Sequence, residues 1–252
     1  MLLAINIGNT GVTMGVFEKF TLVSPHTASV ADIEDVIERV RTLIGPFKAQ
    51  IETVAIASVN PAVLNEIDAS LRKTGIAPLV IGADIAIPID NLSDEPQKVG
   101  ADRLLNALAA FKRFRRPVMI VDVGTATTID VVDRDGRFLG GAIMPGPRAA
   151  LDSMHRSTAG LPHIKMDEAM KSLTGSNGLP EIAKNTRDAM IAGVGWSLIG
   201  AIEALRAIYE KSVGPLSAVG TGGVIRFIPD NLDIFSAVMP HLTIEGIALS
   251  LA

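Results

Sequence analysis

Asp102 is placed where a carboxylate can take part in catalysis. It lies in the stretch VGADR beside Arg103, at the predicted start of a helix. A carboxylate in that position can accept a proton from a substrate, and the forked guanidinium of arginine can anchor an anionic group. The helix dipole also favours an acid at a helix start for purely structural reasons. The pair therefore indicates either a general base with an anion anchor or an ordinary helix start.

Asp122 is the second acidic candidate because it stands almost at the carboxyl end of an apolar strand, Val118–Val123. Such a strand is expected to be buried on both faces of a sheet. A buried carboxylate is unfavourable unless it is paired or bound to a cation. The sequence therefore predicts that Asp122 is shielded from bulk water, and it is the more suggestive of the two acids.

The strand that carries Asp122 belongs to an internal repeat. The phrase AINIGNTGVTMGV at residues 4–16 aligns with IVDVGTATTIDVV at residues 120–132. Asn6 then falls on Asp122, an offset of 122 − 6 = 116 residues. In each copy an apolar strand ends in one polar side chain, a glycine follows two residues later, and a second strand begins. The chain therefore contains the same strand–turn–strand unit twice.

The repeated glycine turns suit phosphate binding. Gly8 and Gly124 lack the Cβ that would keep backbone N–H groups away from phosphate oxygens. The side chains of Asn9, Thr10 and Thr125 add further donors. A third glycine turn, GTGG, follows near the end of the chain, although none of the turns is a Walker loop or a GxGxxG fingerprint. Two ordinary tight hairpins are the alternative interpretation, and the repetition weighs against it.

Two halves of the chain position these turns. Residues 1–115 and 116–252 each begin with the strand–turn–strand unit and continue with further strands and helices, which predicts two α/β domains. No linker rich in serine, proline or charge separates them. One long helix is predicted from Asn185 to about Lys211, and its glycines would permit close packing against another helix.

Composition excludes several classes of function. With a net charge of −4, the chain has no general attraction for nucleic acid. It contains no cysteine, so disulfides, thiolate metal sites and cysteine nucleophiles are excluded. No uninterrupted apolar run approaches the roughly 18 residues of a membrane helix. We therefore expect a cytoplasmic protein that binds neither nucleic acid nor membrane.

The motifs together resemble one family. INIGNT, VGADR, DVGTATTID, GGAIMPG, STAGLP, NTRDAMIAGV and GTGG occur in the order found in type III pantothenate kinases, over nearly the whole chain. The resemblance implies duplicated ribonuclease H-like domains of the actin-like ATPase class, each a mixed five-stranded sheet flanked by helices. It also implies ATP-dependent phosphorylation of pantothenate to 4'-phosphopantothenate, the first step of coenzyme A biosynthesis.

The resemblance further implies a role for each matching residue. The first turn would hold ATP phosphates, VGADR would bind pantothenate with Asp102 as the proton acceptor, and Asp122 would bind a monovalent cation. The residues so implied are Asn6, Ile7, Gly8, Asn9, Thr10, Gly11, Val12, Thr13 and Thr125 for ATP, Gly100, Ala101, Asp102, Arg103 and Thr186 for pantothenate, and Asp122 for the cation.

Cofactors and partners are implied in the same way. The family uses Mg²⁺ with ATP and K⁺ or NH₄⁺ as the monovalent cation. It typically forms homodimers in which the long helix lies near the partner subunit. The expected partners of this chain are therefore ATP, pantothenate and a second copy of itself.

The sequence departs from the family pattern at three places. Asn6 stands where the family has an aspartate that helps to hold the magnesium–nucleotide complex, and Gly11 and Val12 replace a polar pair. No tyrosine lies between Ile85 and Val99, where the family often has one at the substrate site. Two alternatives remain open: a weak or inactive relative that binds nucleotide or metabolite in a regulatory role, and an actin-like ATP switch.

Overall fold

The computed structural model describes residues 1–47, 50–175, 178–229 and 232–252. The strands are β1 Leu2–Ile7, β2 Gly11–Glu18, β3 Thr21–Ser29, β4 Thr53–Ser58, β5 Leu79–Val80, β6 Val118–Val123, β7 Ala126–Val132, β8 Phe138–Pro145, β9 Ser217–Thr221 and β10 Ala237–Val238. The helices are α1 Ile33–Phe47, α2 Pro61–Lys73, α3 Ala101–Phe114, α4 Pro147–Ser157, α5 Met166–Gly175, α6 Thr186–Val213 and α7 Leu242–Ser250.

The internal repeat is visible in the topology. In the described part of the chain the strands form two five-stranded sheets, with orders β3-β2-β1-β4-β5 and β8-β7-β6-β9-β10. In each sheet the lead strand pairs antiparallel with the strand after the turn and parallel with a later strand. Asn6 lies opposite Thr13 in the first sheet, and Asp122 lies opposite Thr128 in the second. The predicted duplication of a mixed sheet is confirmed.

The chain packs into two compact units. Unit 1 comprises Met1–Arg115, Gly136–Leu139 and His241–Ala252, and unit 2 comprises Arg116–Asp135 and Gly140–Pro240. Helix α7 therefore lies in unit 1, whereas the predicted second domain comprised all residues from 116 to 252.

Packing explains why α7 lies in unit 1. Its side chains Leu242, Ile244 and Ile247 are fully buried. The helix packs against α3 and β1. At Gly246 a Cβ atom would stand 2.3 Å from the backbone oxygen of Leu105 in α3, so the two helices approach closely only because this residue is glycine. Long-range packing of this kind has no local sequence signal.

Strand β1 is buried on both of its faces, as its near-continuous apolar sequence predicts. Leu3, Ile5 and Ile7 lie in one apolar cluster with residues of α1 and α2. Ala4 lies in a second cluster with Leu105 of α3 and with residues of α7. The core of unit 1 therefore consists of the first sheet with helices on both sides.

Helix α6 differs from the expectation about apolar segments. By length and composition it is long and apolar enough to cross a membrane, and its most apolar window is 33% buried inside the protein. The helix is not an uninterrupted apolar run, because a few polar residues are spread through a sequence rich in alanine and glycine. Core helices of soluble proteins pass the same test, so this property is weak evidence for a membrane.

Candidate active site

Asp102 lies in the first turn of α3, which has Gly100 as its N-cap residue. The backbone N–H of Arg103 donates a hydrogen bond of 2.8 Å to Oδ1 of Asp102. The side chain is half-buried, and burial raises the pKa of its carboxyl group although the N–H of Arg103 and the charge of its guanidinium act in the opposite direction. Because burial raises its pKa, this carboxylate is a stronger proton acceptor than a fully solvated aspartate.

Gly100 allows the carboxylate to fold back over the start of the helix. A Cβ atom at this position would stand 2.5 Å from Oδ1 of Asp102 and 3.6 Å from Cγ1 of Val59. The N–H of Val59, just after β4, donates to the backbone oxygen of Ile7 at 3.0 Å. The start of α3 is therefore near the carboxyl ends of β1 and β4, at the edge of the sheet where the first glycine turn leaves β1.

The first turn joins β1 to β2 and is closed by Gly8. Its N–H donates to the backbone oxygen of Gly11 at 2.9 Å, and a Cβ on Gly8 would stand 3.1 Å from the same oxygen. The side chains of Asn9 and Thr10 are exposed beyond the strands, while Asn6 is half-buried at the end of β1. The turn thus presents polar groups to solvent at the edge of the sheet where α3 begins.

The side chains of two residues implied for ATP binding face the core of unit 1 and cannot contact a ligand. Ile7 is fully buried and Val12 is 1% exposed, and both lie in the apolar cluster with α1 and α2. Their backbone groups are the atoms they can offer to a ligand. The replacement of a polar residue by Val12 therefore extends the core of unit 1.

Arg103 packs against an aromatic ring from a distant part of the chain. Its guanidinium carbon is 5.5 Å from the centroid of the Phe138 ring, at the start of β8. Residues 136–139 belong to unit 1 together with α3. The ring and the guanidinium are therefore neighbours within one unit, although 138 − 103 = 35 residues separate them in the sequence.

In unit 2, Asp122 is enclosed by the third glycine turn. It pairs with Thr221 of β9, and Gly222 follows with a φ of 99°, a conformation that favours glycine. A Cβ on Gly222 would stand 2.5 Å from Oδ1 of Asp122 and 2.4 Å from the backbone oxygen of Val123. The GTGG turn therefore wraps closely around this carboxylate.

The second copy of the repeated turn is closed from another side by Gly146. The N–H of Gly146 donates to the backbone oxygen of Thr125 at 3.1 Å. A Cβ on Gly146 would stand 2.1 Å from the backbone oxygen of Gly124, so the start of α4 lies directly against the turn. The side chain of Thr125 is exposed.

Thr186 is the first residue of α6, and its side chain is exposed. The N-cap residue Asn185 accepts a hydrogen bond of 2.9 Å from the N–H of Asp188, and its amide donates to the Asp188 carboxylate at 2.7 Å. This reciprocal cap fixes the helix start and the position of Thr186.

The predicted site residues therefore form one group in each unit. Unit 1 brings the first glycine turn close to Gly100–Arg103, and unit 2 brings Asp122 close to Thr125, while Thr186 stands separately at the start of α6. Asp122 is half-buried, so its side chain is partly shielded from bulk water. The more deeply buried acid of the same sheet is Asp130, which is 2% exposed.

Gly146 and Phe138 were not predicted to belong to these sites. Gly146 lies against the second turn, and Phe138 faces Arg103. The motif GGAIMPG includes Gly146 only as part of the resemblance, whereas GTGG was predicted as a third glycine turn without the contact between Gly222 and Asp122. Phe138 carried no signal of its own.

Two cavities lie apart from these residues. One of about 240 Å³ is lined by residues of α1 and α2, including Ile37, Arg41 and Ile67. The other, of about 290 Å³, is lined by residues that follow the GTGG turn in the sequence, including Phe235 and Val238. Neither cavity is lined by a residue implied for catalysis or binding.

Comparison with known proteins identifies the family. The sequence profile described as type III pantothenate kinase matches residues 2–207, which is most of the chain. The chain belongs to the type III pantothenate kinase family. Curated members resemble it along its whole length, and the agreement extends beyond the glycine turns to both units.

Two of these relatives illustrate the similarity. The type III pantothenate kinase of Paramagnetospirillum magneticum is 34% identical, and the match covers 98% of this chain and 95% of the relative. The enzyme of Syntrophobacter fumaroxidans is 32% identical, over 99% of this chain and 96% of the relative. The alignments with these family members thus cover nearly the whole chain and nearly all of each relative.

Solved structures show the same fold at low sequence identity. Component A of the (R)-2-hydroxyglutaryl-CoA dehydratase of Acidaminococcus fermentans gives a TM-score of 0.58 at 14% identity, covering 99% of this chain and 95% of that one. The ROK hexokinase of Thermus thermophilus gives 0.51 at 13% identity, covering 99% and 97%. The predicted fold of duplicated ribonuclease H-like domains, as in actin-like ATPases and sugar kinases, is confirmed.

Proposed function

We propose that this chain transfers the γ-phosphoryl group of ATP to the terminal hydroxyl of pantothenate, which yields 4'-phosphopantothenate for coenzyme A biosynthesis. The observation that carries the proposal is the family membership together with an Asp102 carboxylate of raised pKa beside Arg103. Phosphoryl transfer depends mainly on positioning and on neutralising charge, and a protein with these groups can do both.

Asp102 is proposed as the general base. Its carboxylate accepts the proton of the pantothenate hydroxyl as the oxygen attacks the γ-phosphorus, and ADP leaves on the opposite side. Gly100 keeps Oδ1 folded over the start of α3, because any side chain at residue 100 would overlap it. The N–H of Arg103 holds the same oxygen in place. The base is therefore oriented before the substrate arrives.

Pantothenate is proposed to bind along Gly100–Arg103. The substrate carries a carboxylate, and the Arg103 guanidinium can bind such a group with two parallel hydrogen bonds. Ala101 would offer its backbone N–H at the same helix start, because the first N–H groups of a helix have no partner within the helix. Thr186 is proposed to offer its exposed hydroxyl to the same substrate.

The ATP phosphates are proposed to bind to the polar turns. The exposed side chains of Asn9 and Thr10, with backbone N–H groups of the turn from Asn6 to Thr13, would offer donors, and Thr125 would offer a hydroxyl from the second copy. Mg²⁺ enters with ATP as part of the substrate and neutralises charge on the phosphates. Asn6 supplies an amide oxygen without the negative charge that an aspartate would add.

Asp122 is proposed to hold a monovalent cation, K⁺ or NH₄⁺. A Cβ on Gly222 would stand 2.5 Å from Oδ1 and 2.4 Å from the backbone oxygen of Val123, so a carboxylate oxygen and a backbone oxygen meet beside this glycine, and Thr221 is the strand partner of Asp122. Oxygen donors around a single carboxylate suit a weakly charged cation. Such a cation would offset negative charge near the ATP phosphates.

If the cation binds there, activity will rise with K⁺ and respond less to Na⁺. Asp122→Ala is expected to remove that dependence, because the carboxylate that favours the cation is lost. ADP release measured at matched ionic strength in K⁺ and Na⁺ buffers checks this. Equal rates of the unmodified protein in both buffers would contradict a cation site at Asp122.

A homodimer formed through α6 is also proposed. The exposed face of this helix carries small and apolar side chains at helical spacing: Ala189, Gly193, Trp196, Gly200, Ala204 and Ile208. Trp196 is 40% exposed and Ile208 53% exposed. A contiguous apolar face on one protomer favours association, and the small residues permit close approach of a second helix.

Light scattering is expected to give about twice the chain mass of 26.5 kDa in detergent-free buffer. Gly200→Arg should shift the protein toward monomer, because a long charged side chain would enter the proposed contact. Ala69→Arg on the exposed surface of α2 is the matched control and should leave the mass unchanged. A monomer for the unmodified protein at micromolar concentration would refute the dimer.

The activity itself is tested by coupled ADP release with ATP, Mg²⁺ and K⁺, with and without pantothenate. Pantothenate-dependent release is expected, with little release in its absence. Release that does not depend on pantothenate would favour the ATP-switch alternative, and binding without release would favour a regulatory relative.

The proposed compartment is the cytoplasm, where ATP and the product's pathway are available.

A further inference from the structure

Phe138 is fully buried at the start of β8, and its backbone is fixed on both sides. Its N–H donates to the backbone oxygen of Asp90 at 2.8 Å, and its own oxygen accepts from the N–H of Leu92 at 2.9 Å. The ring therefore has a defined position. Its centroid lies 5.5 Å from the guanidinium carbon of Arg103.

That distance is within the range of a cation–π contact. An arginine side chain has many rotamers, and ordering it on ligand binding opposes the affinity gained from its hydrogen bonds. If an aromatic ring already holds the guanidinium, the arginine side chain loses less conformational entropy when the ligand binds. Because Phe138 is anchored through its backbone, it can act as a rigid support in this way.

The same hydrogen bonds connect Phe138 to the segment that leads into the substrate-binding motif. Within this segment the Asn91 carboxamide oxygen accepts from the N–H and hydroxyl of Ser93 at 3.1 and 2.8 Å, and its amide donates to the backbone oxygen of Pro96 at 3.1 Å. The ring is thus attached to the ordered backbone that precedes Gly100.

We propose that Phe138 is a positioning residue for pantothenate binding, which acts by holding the Arg103 guanidinium in the orientation that receives the substrate carboxylate. The proposal rests on the proposed function of Arg103. In this proposal a residue outside the VGADR motif, the aromatic side chain at the start of β8, supports the substrate site. The contact should affect substrate binding more than the chemical step.

Three variants test the role of the ring. Phe138→Met keeps an apolar side chain of similar volume without a π face, and Phe138→Tyr keeps the π face. Phe138→Met is expected to raise the pantothenate KM about 5- to 30-fold, which corresponds to about 1–2 kcal/mol, with kcat nearly unchanged. Phe138→Tyr should restore most of the affinity. Phe17→Met is the control, because Phe17 is a buried phenylalanine of the same unit, 1% exposed in β2.

The control separates positioning from stability. Phe17→Met should lower thermal stability to an extent similar to Phe138→Met, with the pantothenate KM unchanged. If both variants raised KM equally, general loosening of unit 1 would explain the effect and the proposal would be overturned. Equal KM values for Phe138→Met and the unmodified protein would also overturn it.

A double-mutant cycle tests whether the effect passes through Arg103. In an Arg103→Gln background, Phe138→Met should leave kcat/KM for pantothenate unchanged, because no guanidinium remains to be held. Additive losses would overturn the proposal while leaving the kinase function intact. In the unmodified protein, the Arg103 side-chain N–H signal in NMR spectra should show a ring-current shift that Phe138→Met removes.

The NMR measurement and calorimetric titration with pantothenate in the absence of ATP do not depend on turnover. If the unmodified protein neither bound nor phosphorylated pantothenate, the proposed function and the role of Phe138 would both fail. If it did both and the shift or the KM effect was missing, the role of Phe138 alone would fail.

Discussion

Asp102→Asn is expected to lower kcat by roughly 10²–10⁴-fold, the usual range for general acid–base catalysis. The amide has the shape of the carboxyl group and can still accept the N–H of Arg103, but it cannot take a proton from the pantothenate hydroxyl. Steady-state ADP release at saturating ATP and pantothenate measures the loss. Near-normal turnover in this variant would show that another group is the base.

Thermal melting supplies the control for that experiment. The folded-state pKa of Asp102 is raised by burial, so the ionised carboxylate destabilises the fold above that pKa, and the effect vanishes below the unfolded-state value. Near neutral pH the neutral amide removes this unfavourable term. Asp102→Asn should therefore melt at the same temperature as the unmodified protein or higher, which distinguishes lost chemistry from lost structure.

The raised pKa also predicts the pH dependence of the reaction. A general base must be deprotonated to work, so kcat/KM should fall as pH decreases through the pKa of Asp102. Because burial raises that pKa, the acidic limb of the profile is expected above the ordinary range for an aspartate. The measurement is the rate at low substrate concentration over a series of buffers.

Asn6→Asp is expected to improve the use of ATP. Asn6 ends β1 opposite Thr13, half-buried at the first turn, and it lacks the negative charge that would attract the metal of magnesium–ATP. A charge pair at about 4 Å contributes roughly 1–4 kcal/mol, so the missing charge corresponds to about one to three orders of magnitude in affinity. The variant should have a lower ATP KM or a higher kcat/KM.

ATP saturation curves at matched Mg²⁺ and K⁺ compare the two proteins. Asn9→Asp is the control, because it adds the same charge on the exposed part of the same turn, away from the strand end. It should give no gain and is expected to repel the phosphates. An unchanged ATP dependence in Asn6→Asp would mean that the asparagine is compensated, or that this turn does not meet the metal–nucleotide complex.

Local patterns were sufficient to predict the parts of the fold that repeat. The apolar strands before each glycine turn, the helix that begins at VGADR and the long helix α6 appear where the sequence indicates them. Strand β3 was missed because it is an edge strand that contains Pro25. Its side chains alternate between exposed and half-buried, so its sequence has no strong apolar pattern. Helix α7 was missed because apolar residues surround it, and a helix of that kind has no amphipathic period.

The candidate site was predictable to a similar extent. Asp102 and Asp122 were found because a polar residue at an element boundary stands out in the sequence. Their packing was not predictable, since the glycine at 222 presses on Asp122 and the ring of Phe138 reaches Arg103 through contacts between distant segments. The burial of Asp130 was likewise unpredictable, because the alternation along β7 does not indicate which face is covered.

The position of α7 has a consequence for the order in which the protein can fold. During synthesis, residues 1–115 leave the ribosome long before Ile244 and Ile247, which complete their core against Leu105. Until then the nascent first unit exposes apolar surface that only a later segment covers, and such partly folded states are prone to aggregate. All residues of unit 2, Arg116–Asp135 with Gly140–Pro240, are translated before that moment, so this unit can form first. Unit 1 is therefore the first to begin translation and the last to complete its core.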